Sequence, residues 1–190
     1  VHVVNQQPSS RWYSGSGIYR DVKLSVTDKV HLAQYGTTIT TPQLEKQQNG
    51  AVDTVVKSRI VNQDDQAHSI YAEYEIVDQN GQVVSEKTRS EAQAVLAGQE
   101  INLSQTLHVE RPKLWNVTDE KAALYTLYTR VYRDSQLVDV QKERFGYRYL
   151  NWTPEGGFFL NGVATKFHGV SLHHDPVSYT HLRAHETLRH

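Results

Sequence analysis

The 190-residue chain contains no cysteine, which excludes disulfides, thiolate metal sites and cysteine nucleophiles. It also contains no methionine, position 1 included. Val1 therefore reads as the start of a fragment or of a processed chain, and the lack of a leader carries no information on export. No run approaches the roughly 18 apolar residues that a membrane span requires. Neither sign of charge dominates: 20 Lys and Arg against 21 Asp and Glu give a formal net charge of −1. Nothing electrostatic therefore points to nucleic acid or an anionic membrane as a partner. What is present, 38% hydrophobic and 22% charged residues, belongs to a soluble globular protein rather than a disordered one. The length suits one ordinary domain with extra pieces at either end.

Long helical periodicity is nearly absent, and period-two alternation takes its place. Val30, Leu32 and Gln34 precede a break at Gly36, and a β-branched run follows to Thr41. Val52, Thr54, Val56, Ser58 and Ile60 alternate with Val55, Lys57 and Arg59. In the run Ser69 to Val77, Ile70, Ala72, Tyr74 and Ile76 share one face. Asn80-Gly81 then predicts a hairpin turn, because both residues accept positive φ, with Gln82 to Arg89 as the returning strand. Ala92 to Gly98 reads as a strand end and turn rather than a short helix. Ile101 to Val109, Tyr125 to Tyr132 and Leu137 to Tyr147 complete the set, the last two joined by a turn at Arg133 to Gln136. About seven strands with turn signals between them predict a β-sandwich of the immunoglobulin type. The ends do not fit it: Ser9 to Ser25 is glycine-rich and aromatic, and a fresh unit begins after Tyr147. There Gly156-Gly157 predicts a hairpin turn before Phe158 to Leu160, and Phe167 to Leu172 predicts a further apolar strand.

Several segments carry a resemblance. Arg11 to Val22, R-W-Y-S-G-S-G-I-Y-R-D-V, looks like the closing strand of the N-terminal jelly-roll domain in family 2 glycoside hydrolases, with Arg20 and Asp21 able to pair across a domain seam. Pro112-Lys113-Leu114-Trp115 resembles that family's N-P-x-L-W signature late in its sandwich domain, and Phe145-Gly146-Tyr147-Arg148 resembles the segment that leaves it. In the signature the proline ends strand pairing and the tryptophan buries a large surface. The most specific segment is Phe158-Phe159-Leu160-Asn161-Gly162 followed by Lys166-Phe167-His168-Gly169-Val170-Ser171-Leu172-His173-His174-Asp175. It resembles the start of the family's (β/α)8 barrel, with Ser171 where asparagine is common. The resemblance implies an all-β fold: the end of a jelly-roll domain over residues 1–28, an immunoglobulin-like β-sandwich over 29–148, and the first strands of the barrel over 149–176.

Active sites of such barrels lie at the C-terminal ends of the strands, which puts His173, His174 and Asp175 at the catalytic face. The resemblance implies that His173 and Asp175 contact the sugar, with His174 a packing or supporting residue. A carboxylate accepts from two hydroxyls, and a neutral imidazole both donates and accepts. A polar strand end without a ligand and a metal site are the rival readings. Against the metal, adjacent strand residues point to opposite faces. The implied activity of the whole protein is retaining hydrolysis of terminal β-galactosides by two glutamates about 5–5.5 Å apart. The family carries both beyond the first barrel strand, so no catalytic residue is assigned among these 190, and neither Glu143 nor Glu155 inherits the role. No cofactor is assignable; the family's metal ions, divalent or monovalent, bind through later segments.

From Val177 the resemblance is lost. Ser178 to His190 reads as a non-native tail similar to translated sequencing adaptor; the alternatives are a disordered tail or a metal site using His181, His185 and Glu186, without the H-E-x-x-H order of zincins. β-Glucuronidase and β-mannosidase share the family's domains and stay open as alternatives, as does a non-catalytic sandwich module for adhesion or spacing. The lack of cysteine is compatible with a bacterial secreted or cell-surface enzyme.

Overall fold

The computed structural model describes residues 2, 4, 18, 21–119 and 122–170. The chain divides into two units, residues 26–166, and residues 1–25 with 167–190. In the second of these, the described residues (2, 4, 18, 21–25 and 167–170) contain no helix or strand. Most of the segment from Arg11 to Val22 and the tail from Val177 lie outside the described residues.

The larger unit is built almost entirely of strands. They are β1 (Val30–Thr40), β2 (Ala51–Asn62), β3 (His68–Val77), β4 (Thr88–Arg89), β5 (Gln93–Val95), β6 (Glu100–Glu110), β7 (Tyr125–Arg133) and β8 (Gln136–Phe145), then β9 (Leu150–Thr153), β10 (Gly157–Leu160) and β11 (Val163–Ala164), with one helical turn, α1 (Leu44–Gln47). One sheet has the order β1-β2-β6; the other runs β4-β3-β7-β8, with β5 also pairing β3. All pairings are antiparallel. This is the strand order of an immunoglobulin-type sandwich. Tyr125, at the start of β7, accepts a 2.8 Å hydrogen bond at its hydroxyl from the upstream Lys113 N–H, in the manner of that fold's tyrosine corner.

The alternation places the core as expected. Val52, Val56 and Ile60 from β2 and Leu103, Leu107 and Val109 from β6 face Ile70, Ala72, Tyr74 and Ile76 from β3 and Leu127 and Val131 from β7, all buried. Each such apolar side chain contributes about 1.5–3 kcal/mol through burial.

Three local expectations need correction. Gly36 is not a break: β1 continues through it with a register shift between Leu32 and Thr37. Tyr35 takes φ 54° there, and a Cβ on Gly36 would lie 2.7 Å from the Ala33 carbonyl oxygen and 2.9 Å from that of Arg59. β1 stays paired with β2 on both sides of the bulge, and before it the Asp139 carboxylate of β8 accepts from the Leu32 N–H at 2.9 Å.

At Asn80-Gly81, only Gly81 has positive φ. The Asp78 carboxylate accepts from the N–H groups of Asn80 and Gln82 and holds Asn80 in an ordinary turn conformation. Gln82 to Arg89 is not one returning strand either. Its first part makes single bridges, Val83 to Val77 and, across the sandwich, Ser85 to Val109, and a regular ladder with β3 is confined to Thr88 and Arg89 of β4, opposite Tyr74 and Glu73. The hydroxyls of Ser85 and Ser90 accept from the β3 N–H groups of Ile76 and Ala72 on either side of that short ladder.

Beyond the sandwich, β9, β10 and β11 form a separate three-stranded antiparallel meander. The predicted strand at Phe167 to Leu172 is not formed over residues 167–170, where Val170 is 92% exposed; its remainder lies outside the described residues. Among the described residues no helix is long and apolar enough to cross a membrane.

Candidate functional site

The signature segments, up to 50 residues apart in sequence, meet at one joint between the sandwich and the meander. Its centre is Tyr147, fully buried and packed edge-on against Tyr125 at 4.9 Å and Phe145 at 5.2 Å. Its hydroxyl shares a 2.9 Å hydrogen bond with Thr54 Oγ1 in β2. Burial pushes the phenol well above its ordinary pKa, against the hydrogen bond with Thr54; the group is neutral and serves as structure.

The Tyr147 carbonyl accepts from the Trp115 N–H at 2.8 Å, part of a parallel bridge between Leu114 and Tyr147. Gly146 fits only without a side chain, because a Cβ would fall 2.9 Å from Trp115 Cβ. Trp115 is half-buried rather than engulfed, with the Arg148 guanidinium 4.9 Å from its ring centre.

Asn161 closes the joint. It forms with Gly162 the two-residue turn between β10 and β11, at φ 51° and 78°, the left-handed pair that tight hairpins demand. That conformation turns its amide back toward the sandwich. Its Nδ2 donates to the Trp115 carbonyl at 2.8 Å, and its Oδ1 accepts from the Tyr149 N–H at 3.0 Å. The Asn161 N–H donates to the Tyr149 carbonyl at 3.0 Å. Gln48 donates to the Tyr149 hydroxyl at 3.3 Å, and Asn151 donates to Glu45 of α1 at 3.1 Å, so the meander is also tied to that turn.

The joint holds no paired acid and base and no nucleophile with a base beside it. Its chemistry is mechanical, fixing the meander on the sandwich. The sugar-contact candidates His173 and Asp175, with His174 between them, lie outside the described residues, as do His181, His185 and Glu186. Among the described residues no group of three or more His, Cys, Asp or Glu is arranged to hold a metal ion. Glu143 and Glu155 are exposed. Sequence reasoning singled out Pro112 to Trp115, Phe145 to Arg148 and Asn161 as separate markers; it missed their convergence, and it missed Tyr149, Gln48 and Glu45, whose types and spacing give no signal.

The family model for glycosyl hydrolases family 2 matches residues 30–148. The chain belongs to that family. It is 39% identical over 170 residues to the β-galactosidase BoGH2A of Bacteroides ovatus, covering 90% of this chain and 19% of that protein. It is 28% identical over 160 residues to a β-glucuronidase of Bacteroides fragilis, covering 84% of this chain and 22% of the relative. Among solved structures, a glycosyl hydrolase family 2 member from Bacteroides cellulosilyticus superposes with a TM-score of 0.68 at 26% identity, over 78% of this chain and 20% of that one. The chain thus spans about a fifth of the length of the relatives it matches. In this family 2 chain the described part is the sandwich and the meander fastened to it.

Proposed function

We propose that these residues are part of a retaining glycosidase acting on terminal β-galactosides, with residues 1–28 ending a jelly-roll domain, 29–148 forming the sandwich and 149–176 opening the catalytic barrel. The observation that carries the substrate is the 39% identity to a β-galactosidase, against 32% to a putative β-glucuronidase and 28% to a β-glucuronidase. In this reading His173 and Asp175 hydrogen-bond sugar hydroxyls, His174 supports them, and the glutamate acid and nucleophile are supplied by barrel sequence outside these 190 residues. The 190-residue chain by itself then turns over no glycoside.

The test is an assay of the full-length protein carrying this sequence, with p-nitrophenyl β-galactoside and the matching β-glucuronide. A kcat/KM higher on the galactoside by about 10⁴-fold is expected, the scale on which a site built for one substrate's polar groups discriminates. The reverse ranking replaces the galactoside reading by the glucuronide one, and turnover of neither defeats both and leaves the β-mannoside reading to be assayed in the same way. Asp175→Asn in the same protein is expected to lose about 1.5–3 kcal/mol of transition-state binding, the scale of a charge-assisted hydrogen bond.

A further inference from the structure

At the end of the sandwich opposite the joint, where the chain enters it, His68 lies between two carboxylates. His68 Nδ1 is 2.6 Å from Asp134 Oδ2, and Nε2 is 3.1 Å from Asp64 Oδ2. Its ring is largely covered, with 12% of the side chain exposed. An imidazole engaging a carboxylate at each nitrogen must donate from both, and only the protonated ring has two N–H groups. A neutral ring would turn a lone pair toward one of the two anions.

We propose that His68 is an imidazolium at neutral pH and acts as a proton-dependent clip, tying the 63–67 loop to the turn between β7 and β8. This goes beyond the glycosidase reading and does not depend on it.

The charges around the ring come from three segments. The stretch before β1 supplies Asp28 and Lys29, the β2–β3 loop Asp64 and Asp65, and the β7–β8 turn Arg133 and Asp134. Lys29 Nζ reaches Asp64 at 2.9 Å, and Arg133 reaches Asp28 at 2.7 Å. Asp134 also accepts from the Ser69 N–H at 2.9 Å, and Asp64 from the Asp65 N–H at 2.8 Å. The hydrogen bond to Asp134, reinforced by Asp64, raises the His68 pKa against the cost of burial.

When the proton leaves, the geometry selects which contact goes. Asp64 keeps Lys29 and the Asp65 N–H, and the contact to Asp134 is the shorter. Nε2 therefore loses its hydrogen, and the neutral ring keeps Nδ1–H. The 63–67 loop is released from the turn while Asp134 stays bonded to ring and backbone.

The experiment is a pH titration of the ¹⁵N-labelled chain, following both ring nitrogens of His68 by long-range ¹H–¹⁵N correlation. Its resonances are assigned sequentially and checked by their loss in His68→Gln. Both nitrogens are expected to carry hydrogen at pH 7, with a midpoint above the ordinary imidazole value of about 6.5. Above it the Nδ1–H tautomer is expected. Asp134→Asn should lower the midpoint, and Asp64→Asn should lower it less. A wild-type midpoint at or below pH 7 overturns the proposal, as does a midpoint that neither aspartate variant moves. Should His68→Gln not fold, sequential assignment of the wild type still decides between these results.

Discussion

Replacing Asn161 by alanine tests whether the joint fixes the meander to the sandwich. The substitution removes the donation to the Trp115 carbonyl at 2.8 Å and the acceptance from the Tyr149 N–H at 3.0 Å. Each such bond is worth about 0.5–1.5 kcal/mol net. It also leaves alanine at φ 51°, where a left-handed non-glycine residue costs about 1–2 kcal/mol. Together these terms amount to about 2–5 kcal/mol against docking of the meander. The loss is local, because among the described residues β9 to β11 pair only with one another, so the assay is residue-resolved hydrogen exchange. Amides of β9 and β10 should exchange faster by roughly 30- to 5000-fold, while those of β3 and β7 hold, as expected for separate opening units. Asn161→Gly separates the parts: it removes both side-chain bonds and relieves the backbone, so its effect should be smaller by about 1 kcal/mol. Unchanged exchange across residues 150–164 in Asn161→Ala would refute the reasoning.

Tyr147→Phe and Thr54→Val, combined in a double-mutant cycle, should show a coupling of about 1 kcal/mol in urea denaturation, since each leaves the other's buried hydroxyl unpaired. A coupling near zero removes the hydrogen bond from the account of the joint. Gly146→Ala should destabilise by about 1–3 kcal/mol, because the added Cβ meets the Trp115 side chain; an unchanged denaturation midpoint contradicts the close approach. Tyr35→Asn should stabilise by roughly 0.5–1 kcal/mol, asparagine tolerating positive φ better at a site that is 94% exposed. A drop in thermal midpoint would show that the tyrosine ring makes a contact of value.

The stability curve against pH should fall on both sides. Asp64, chiefly through Lys29, and Asp134, chiefly through the Ser69 N–H, titrate below the usual carboxylate range. Their contribution is present above about pH 3.9 and is lost as pH falls through the lowered folded values. The contribution of His68 has the opposite sign, present below about pH 6.5 and lost as pH rises through its raised folded value. Urea midpoints rising steadily from pH 6 to 9 would contradict the alkaline arm.

How much was legible in the sequence follows from how each feature is encoded. Ile70, Ala72, Tyr74 and Ile76 are inward because a half-buried strand cannot hide its period, and the same holds for β2, β6 and β7. Gly36 advertises a special backbone but not which one: a break and a bulge both need a residue without Cβ, and only the Ala33 and Arg59 carbonyls decide between them. Gln82 to Arg89 follows a turn signal and carries the strand-forming types Val83, Val84 and Thr88. Ser85, and Ser90 just beyond it, nevertheless satisfy part of the β3 edge with side chains, an option that period-two patterning cannot reveal. α1 is too short to show a helical period. The sugar-contact readings at His173 and Asp175 came from resemblance, not from any pattern that local physics enforces, and the described residues stop short of them.

Three of the stretches by which the chain resembles its family also lock the joint, and this has a physical reason. Pro112 to Trp115, Phe145 to Arg148 and Leu160 to Gly162 are not a catalytic constellation. They include a glycine that only an absent side chain allows, a tyrosine that needs one threonine for its hydroxyl, and an asparagine that must adopt positive φ and bond two backbone groups together. Each requirement excludes nearly every other residue type, whereas a core position tolerates any apolar side chain of similar volume. A catalytic site held on a rigid support loses much of its rate when displaced by about 1 Å. A multidomain glycosidase therefore has reason to hold the geometry of its joints as closely as that of its acids. In the galactosidase proposed above, a joint that opens in Asn161→Ala should lower kcat in the full-length protein more than it changes the affinity for a small galactoside.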